Sequence, residues 1–145
     1  MKWTDNKKKR PKVRVQRTFQ GTMMEITAGF MVLSMWIVYL TIGARDSYLT
    51  GFSGTVVTIA LLIGAYFPSQ CINMPIEITN ERQLSIMTLM SRAVAIEMPL
   101  VWMGIPMQGQ TGSMLATTGQ LFVWGGMAIV VATVAFFTWK ARQAR

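Results

Sequence analysis

The chain lacks several of the residues on which catalysis and metal binding usually depend. Its 145 residues include no histidine, one cysteine (Cys71) and only six acidic side chains. Without histidine, the common zinc sites and histidine-based catalytic triads cannot form, and a lone cysteine cannot form a disulfide within the chain. No phosphate loop, nucleophile elbow or paired-carboxylate pattern occurs in the sequence. We therefore expect a protein that is not an enzyme and that has no cofactor or metal.

Charge is also scarce, and it lies outside the apolar segments. Hydrophobic residues make up 52% of the chain and charged residues 14%. A soluble domain of this size would spread charged side chains over its whole surface. Here long windows carry almost no charge, which indicates that lipid surrounds most of the chain.

Four apolar runs are each long enough to cross the ~30 Å hydrocarbon core as a helix. Short polar turns separate the first run from the second and the third from the fourth. The prediction is an all-α integral membrane protein whose four transmembrane helices form two hairpins. The spans are predicted at about 26–43, 49–67, 84–107 and 114–139, within a membrane domain at 23–139 between basic tails at 1–22 and 140–145.

The basic residues predict the orientation of these spans. Eight of the fourteen lie in the first seventeen positions, three lie in the C-terminal tail, and Arg45 is the one basic residue in the turns of the opposite side. The positive-inside bias therefore places both termini in the cytoplasm. We expect the N-terminal tail to attract anionic lipid headgroups, and nucleic acid is the less favoured partner.

Two sets of small residues recur at helical spacing, one in the second run and one in the fourth. Small side chains allow membrane helices to approach closely, so both sets predict helix-packing faces. The two faces consist of Gly51, Gly54, Thr58 and Ala65, and of Gly125, Ala128, Ala132 and Ala135.

Arg92 and Glu97 are the candidate intramembrane polar site, because charges within a membrane are costly and often functional. Five positions apart on one helix, they point about 140° away from each other. Arg92 is near enough to the cytoplasmic end to snorkel, whereas Glu97 lies about 7 to 8 Å deeper and needs a partner. Tyr66 and Thr133 are at a similar depth on neighbouring helices. Glu97 is interpreted either as a neutral carboxyl that joins helices or as a proton- or ion-coupling group.

The polar loop before the third span is the candidate partner-binding segment. Asn80 is placed to cap the helix, and Gln83 sits at the position of a capping-box partner. The candidate binding residues of this segment are Asn73, Pro75, Asn80, Arg82 and Gln83.

The stretches YFPSQCINMPIEITNERQ and SRAVAIEMPL resemble a group of small bacterial multi-spanning membrane proteins. That group has a domain of unknown function allied to the sporulation-delay immunity type. The resemblance covers Tyr66 to Leu100 and does not include the family's histidine-containing segment between the first two spans. It implies a bacterial inner-membrane location and a non-catalytic role. The matching residues are Tyr66, Pro68, Asn73, Pro75, Thr79, Asn80 and Gln83.

Two functional hypotheses follow. The first is a non-catalytic accessory, scaffolding or immunity-like protein that binds a larger membrane component, or another copy of itself, through its small-residue faces and central loop. The second is a minimal oligomeric transporter or channel, in which Glu97 is the coupling carboxylate and Arg92 its charge partner across protomers.

Overall fold

The computed structural model describes residues 17–42, 48–67, 80–110 and 112–144. Helix accounts for 92% of these residues, and no strand occurs among them. All four helices are long and apolar enough to cross a membrane. The all-α, four-span membrane fold is therefore confirmed. The helices are α1 (Phe19–Ile42), α2 (Tyr48–Tyr66), α3 (Glu81–Gln108) and α4 (Met114–Gln143).

Helix α3 is the centre of the fold, because α1, α2 and α4 all pack against it. Its most extensive contact is with α4, and α1 and α2 contact each other less than either contacts α3. In the most apolar 18-residue window of each helix, 56% of α3 is buried but only 6% of α4. The described bundle therefore surrounds α3 and leaves most of α4 facing outward.

The packing of α1 and α2 on α3 uses a few large side chains set into small-residue positions. Met35 and Tyr39 of α1 are fully buried against Met103, and the Tyr39 hydroxyl donates to the Trp102 carbonyl at 2.8 Å. The indole of Trp102 lies where a Cβ on Gly54 would be, with its Cγ 2.7 Å from that position. The predicted face of α2 is confirmed, since its four small residues are all buried.

The contact between α3 and α4 depends on glycines that the sequence pattern did not single out. A Cβ on Gly104 would lie 2.6 Å from the Gly119 carbonyl oxygen, and one on Gly126 would lie 2.7 Å from a Val101 methyl group. The predicted face of α4 does not make this contact. Its four residues are all exposed, on the opposite side of the helix from the buried Gly119, Gly126 and Ala141.

The start of α3 is joined to the end of α4 by side-chain amides. Asn80 caps α3 by accepting from the Gln83 backbone amide at 2.8 Å, and its own amide donates to the Ala144 carbonyl. The buried Gln83 side chain donates to the Ala141 carbonyl at 3.1 Å. These bonds satisfy helix-end groups that would otherwise lack partners.

The two N-caps of the α3–α4 hairpin differ, which gives a direct test of the Asn80 cap. Asn80→Ala removes the cap hydrogen bond together with the bond to the Ala144 carbonyl, and it should lower the free energy of unfolding by about 1 kcal/mol or more. Ser113, the N-cap of α4, makes no side-chain cap bond, so Ser113→Ala should change the free energy of unfolding by less than half as much. Unfolding of the purified protein in mixed detergent and SDS micelles, followed by helical circular dichroism, measures both. Equal losses would show that the cap hydrogen bond is not responsible.

Candidate functional site

A polar cluster of Glu25, Tyr66 and Arg92 joins the first three helices. The Tyr66 hydroxyl donates a short hydrogen bond to Oε1 of Glu25. Nη2 of Arg92 lies 3.5 Å from the same oxygen, and the guanidinium carbon is 5.1 Å from the centre of the Tyr66 ring. One carboxylate oxygen thus serves two partners, and the arginine adds a cation–π contact.

The backbone of α1 makes room for this cluster. Gly21 lies one turn before Glu25, and a Cβ at this position would be 2.7 Å from Cζ and Nη1 of Arg92. Three of the four buried residues of α1, Gly21, Ala28 and Met35, are seven positions apart, and Tyr39 follows one turn later. This repeat keeps one side of α1 against α3, so Gly21 is held over the guanidinium.

The sequence predicted that Arg92 could snorkel toward the membrane surface. The structure instead buries its side chain between helices. Its exposure is 2%, and its charge partner is Glu25 of the same chain. The sequence alone did not predict the pairing of Arg92 with Glu25. The positions of Glu25 and Arg92 could have indicated this pair. Each lies in the first half of its span, and such positions come to a similar depth when the two helices run in the same direction.

Glu97 lies between α3 and α4, where the Thr133 hydroxyl donates to its Oε1 at 2.6 Å. Thr133 was one of its two predicted partners, and the other, Tyr66, bonds to Glu25 instead. The second oxygen of Glu97 is buried and has no hydrogen-bond partner among the described residues. Arg92 and Glu97 therefore belong to two separate polar contacts on different sides of α3.

The predicted partner-binding segment is divided by the structure. Asn73 and Pro75 lie outside the described residues. Arg82 is exposed, whereas Gln83 is buried and donates to α4. Asn80 is exposed but bonds to both helices. Of the candidate residues that the structure describes in this segment, Arg82 is the one that is exposed and makes no hydrogen bond to α4.

The outer side of α4 is a surface that the other described helices do not cover. Gly125 has no atom within 4 Å of the position of a Cβ, and the neighbouring Leu121 and Trp124 are 70% and 73% exposed. Large apolar side chains lie beside a glycine that has no side chain. A surface of this kind allows another membrane helix to approach closely.

The polar side chains described above make contacts between helices. Among residues 17–42, 48–67, 80–110 and 112–144, no three acidic, histidine or cysteine side chains come together. Comparisons with protein families, curated proteins and solved structures find no match to this chain. The class that the structure itself defines is a multi-pass, α-helical membrane protein.

Proposed function

We propose that this protein is a non-catalytic accessory of a larger membrane component, which it binds through the outer side of α4. The partner surface consists of Gly125, Ala128, Ala132 and Ala135. In this proposal both termini lie in the cytoplasm, as the distribution of basic residues predicts. The membrane is the bacterial inner membrane, as the family resemblance implies.

The exposure of this small-residue surface supports the proposal most strongly. Small residues in membrane helices allow a second helix to approach closely, and the resulting van der Waals contacts stabilise association. Within this chain, α4 uses a different set of glycines to pack on α3. The outer set therefore remains available to a helix from another molecule.

The transporter hypothesis has less support from the geometry. Its coupling residue, Glu97, contacts one hydroxyl group, and its proposed charge partner, Arg92, is buried beside Glu25 of the same chain. A proton relay needs a succession of ionisable groups. The described residues place no second acid or base beside Glu97.

Bulky substitution at two matched glycines tests the proposal. Gly125 lies on α4 and Gly29 on α1, and open space surrounds the position of a Cβ at both glycines. We expect Gly125→Leu to reduce the recovery of a co-purifying membrane protein by about tenfold or more, since an added side chain keeps helices apart. Gly29→Leu should leave this recovery unchanged.

The measurement is affinity purification of the tagged chain in a mild detergent, followed by quantitative mass spectrometry. Helical circular dichroism shows whether both variants are folded. A wild-type chain that emerges without any stoichiometric partner, or a partner equally retained by both variants, would contradict the proposed function.

A further inference from the structure

An apolar groove lies between α3 and α4. Leu121 and Ile129 on its wall are 70% and 50% exposed, so the groove is open to the surroundings of the bundle. All of its lining residues are apolar, and a lipid acyl chain is as apolar as these side chains. The groove is therefore suited to an acyl chain. Its lining residues are Leu100, Leu121, Phe122, Gly125, Gly126 and Ile129.

The side of α4 that forms this groove continues toward a lysine. From Ile129 the chain advances by four, three and four positions to reach Thr133, Phe136 and Lys140. Steps of three and four positions keep residues on one side of a helix. The Thr133 hydroxyl is bonded to Glu97, so this polar group already has a partner. One side of α4 therefore leads from the groove to Lys140.

Lys140 is an exposed cation without a carboxylate partner. Its Nζ lies 6.0 Å from the centre of the Phe136 ring, one turn back along the helix. Helix α4 contains no acidic residue, and none of the acidic side chains that the structure describes forms an ion pair with Lys140. Phe136 and Trp139 beside it are more than half exposed. Exposed aromatic rings with a cation are typical of the headgroup level of a membrane, so the ammonium is placed to attract an anionic headgroup.

The distance between this ammonium and the groove matches the depth of one lipid leaflet. Gly125 in the groove lies eleven positions before Phe136, which is about 16 Å along the helix. Half of the ~30 Å hydrocarbon core is about 15 Å. An acyl chain that begins at the level of Phe136 would therefore end in the groove, near the middle of the membrane.

We propose that Lys140 and the groove between α3 and α4 together bind one phospholipid. The phosphate accepts a charge-assisted hydrogen bond from the Lys140 ammonium. One acyl chain extends past Phe136 into the groove, where van der Waals contacts hold it. This inference does not rest on the proposed function, because Gly125 is the one residue that the groove shares with the partner surface.

The test measures lipid binding to the full-length protein in a neutral detergent by native mass spectrometry. The probe is dimyristoyl-phosphatidylglycerol, and dimyristoylglycerol provides the same acyl chains without the phosphate. Lys140→Gln should weaken binding of the phospholipid by about fivefold, the effect expected for one basic residue beside anionic headgroups. Arg142→Gln is the matched control, since it removes an exposed arginine on another side of the same helix end. It should leave the affinity unchanged.

Two matched tryptophan substitutions test the groove. Ile129→Trp fills it and should weaken binding of dimyristoyl-phosphatidylglycerol at least as much as Lys140→Gln does. Binding of dihexanoyl-phosphatidylglycerol should be unchanged in this variant, because its chains are too short to reach the groove. Val131 is 64% exposed and lies on another side of α4, so Val131→Trp should leave the binding of both lipids unchanged. Helical circular dichroism shows whether the variants are folded.

Three results would each overturn the lipid site. Equal losses in Lys140→Gln and Arg142→Gln would show a general attraction between charges. Unchanged binding in Ile129→Trp would show that no acyl chain occupies the groove, and equally tight binding of dimyristoylglycerol would show that the phosphate is not recognised. All four variants leave the partner surface intact, so this test and the test of the proposed function can fail separately.

Discussion

Gly119→Ala is expected to destabilise the purified protein by about 1–3 kcal/mol, the range typical of overpacking a close contact. A Cβ at this position would lie 2.7 Å from the Gly104 carbonyl oxygen and from the Gln108 amide nitrogen. Both are backbone atoms, so neither can move aside by changing a rotamer. The α3–α4 pair would have to separate, and this pair is the most extensive contact in the fold.

Gly125→Ala is the matched control, since it makes the same substitution six positions further along α4. Open space surrounds this glycine, so the change should be neutral or should stabilise the helix by up to about 1 kcal/mol. Unfolding in mixed micelles, followed by circular dichroism, measures both variants. Similar free-energy changes for the two would contradict the close approach of α3 and α4 at Gly119.

Glu25→Ala is expected to lower the free energy of unfolding by about 3 kcal/mol, because it leaves a buried guanidinium without its counter-charge. Arg92 is 2% exposed and cannot reach water without a rearrangement of α1. The Tyr66 hydroxyl would lose its acceptor at the same time. Two helices would therefore lose a polar contact with α1.

The double variant Glu25→Ala/Arg92→Met tests whether this loss comes from the unpaired charge. Replacing both partners by apolar groups removes the buried cation, so the double variant should recover at least half of the lost stability. Glu81→Ala, at an exposed carboxylate in the first turn of α3, should cost less than about 1 kcal/mol. A double variant less stable than Glu25→Ala would show that Arg92 stabilises the fold independently of Glu25.

The polarity pattern was sufficient to locate the helices. Continuous apolar runs bounded by polar turns predicted four spans, and the helices lie where these spans were expected. Helix α1 extends seven residues beyond its predicted span, from about residue 26 back to Phe19. Its first turns contain Gln20, Thr22 and Glu25, which do not fit an apolar run. These residues remain helical because Thr18 caps the helix start and Gly21 packs on Arg92.

Side-chain partners were predictable only where depth left few choices. Thr133 was a candidate for Glu97 because the two lie at the same level of antiparallel helices. Tyr66 was a candidate for the same reason, and depth in the membrane could not distinguish Tyr66 from Thr133. Which one contacts Glu97 depends on the helix that lies on that side of α3, and α4 occupies that position.

The small-residue faces show the same limit. On α2, the predicted face is the buried one. On α4, the equally regular set from Gly125 to Ala135 faces outward, while less regular glycines pack on α3. Regular spacing identifies a surface that can pack closely, but it carries no information about which helix, or which molecule, lies against it.

Hydrophobicity along the chain is a local property, and it was enough to establish the membrane environment, the number of helices and their approximate ends. The central position of α3, the pairing of Arg92 with Glu25 and the outward direction of the Gly125 face depend on how the helices are arranged around one another. Lipid surrounds every apolar helix equally well. The arrangement is therefore set by close fit and by the pairing of a few polar groups. These are contacts between distant parts of the chain, and the spacing of residues along one helix does not identify the partner.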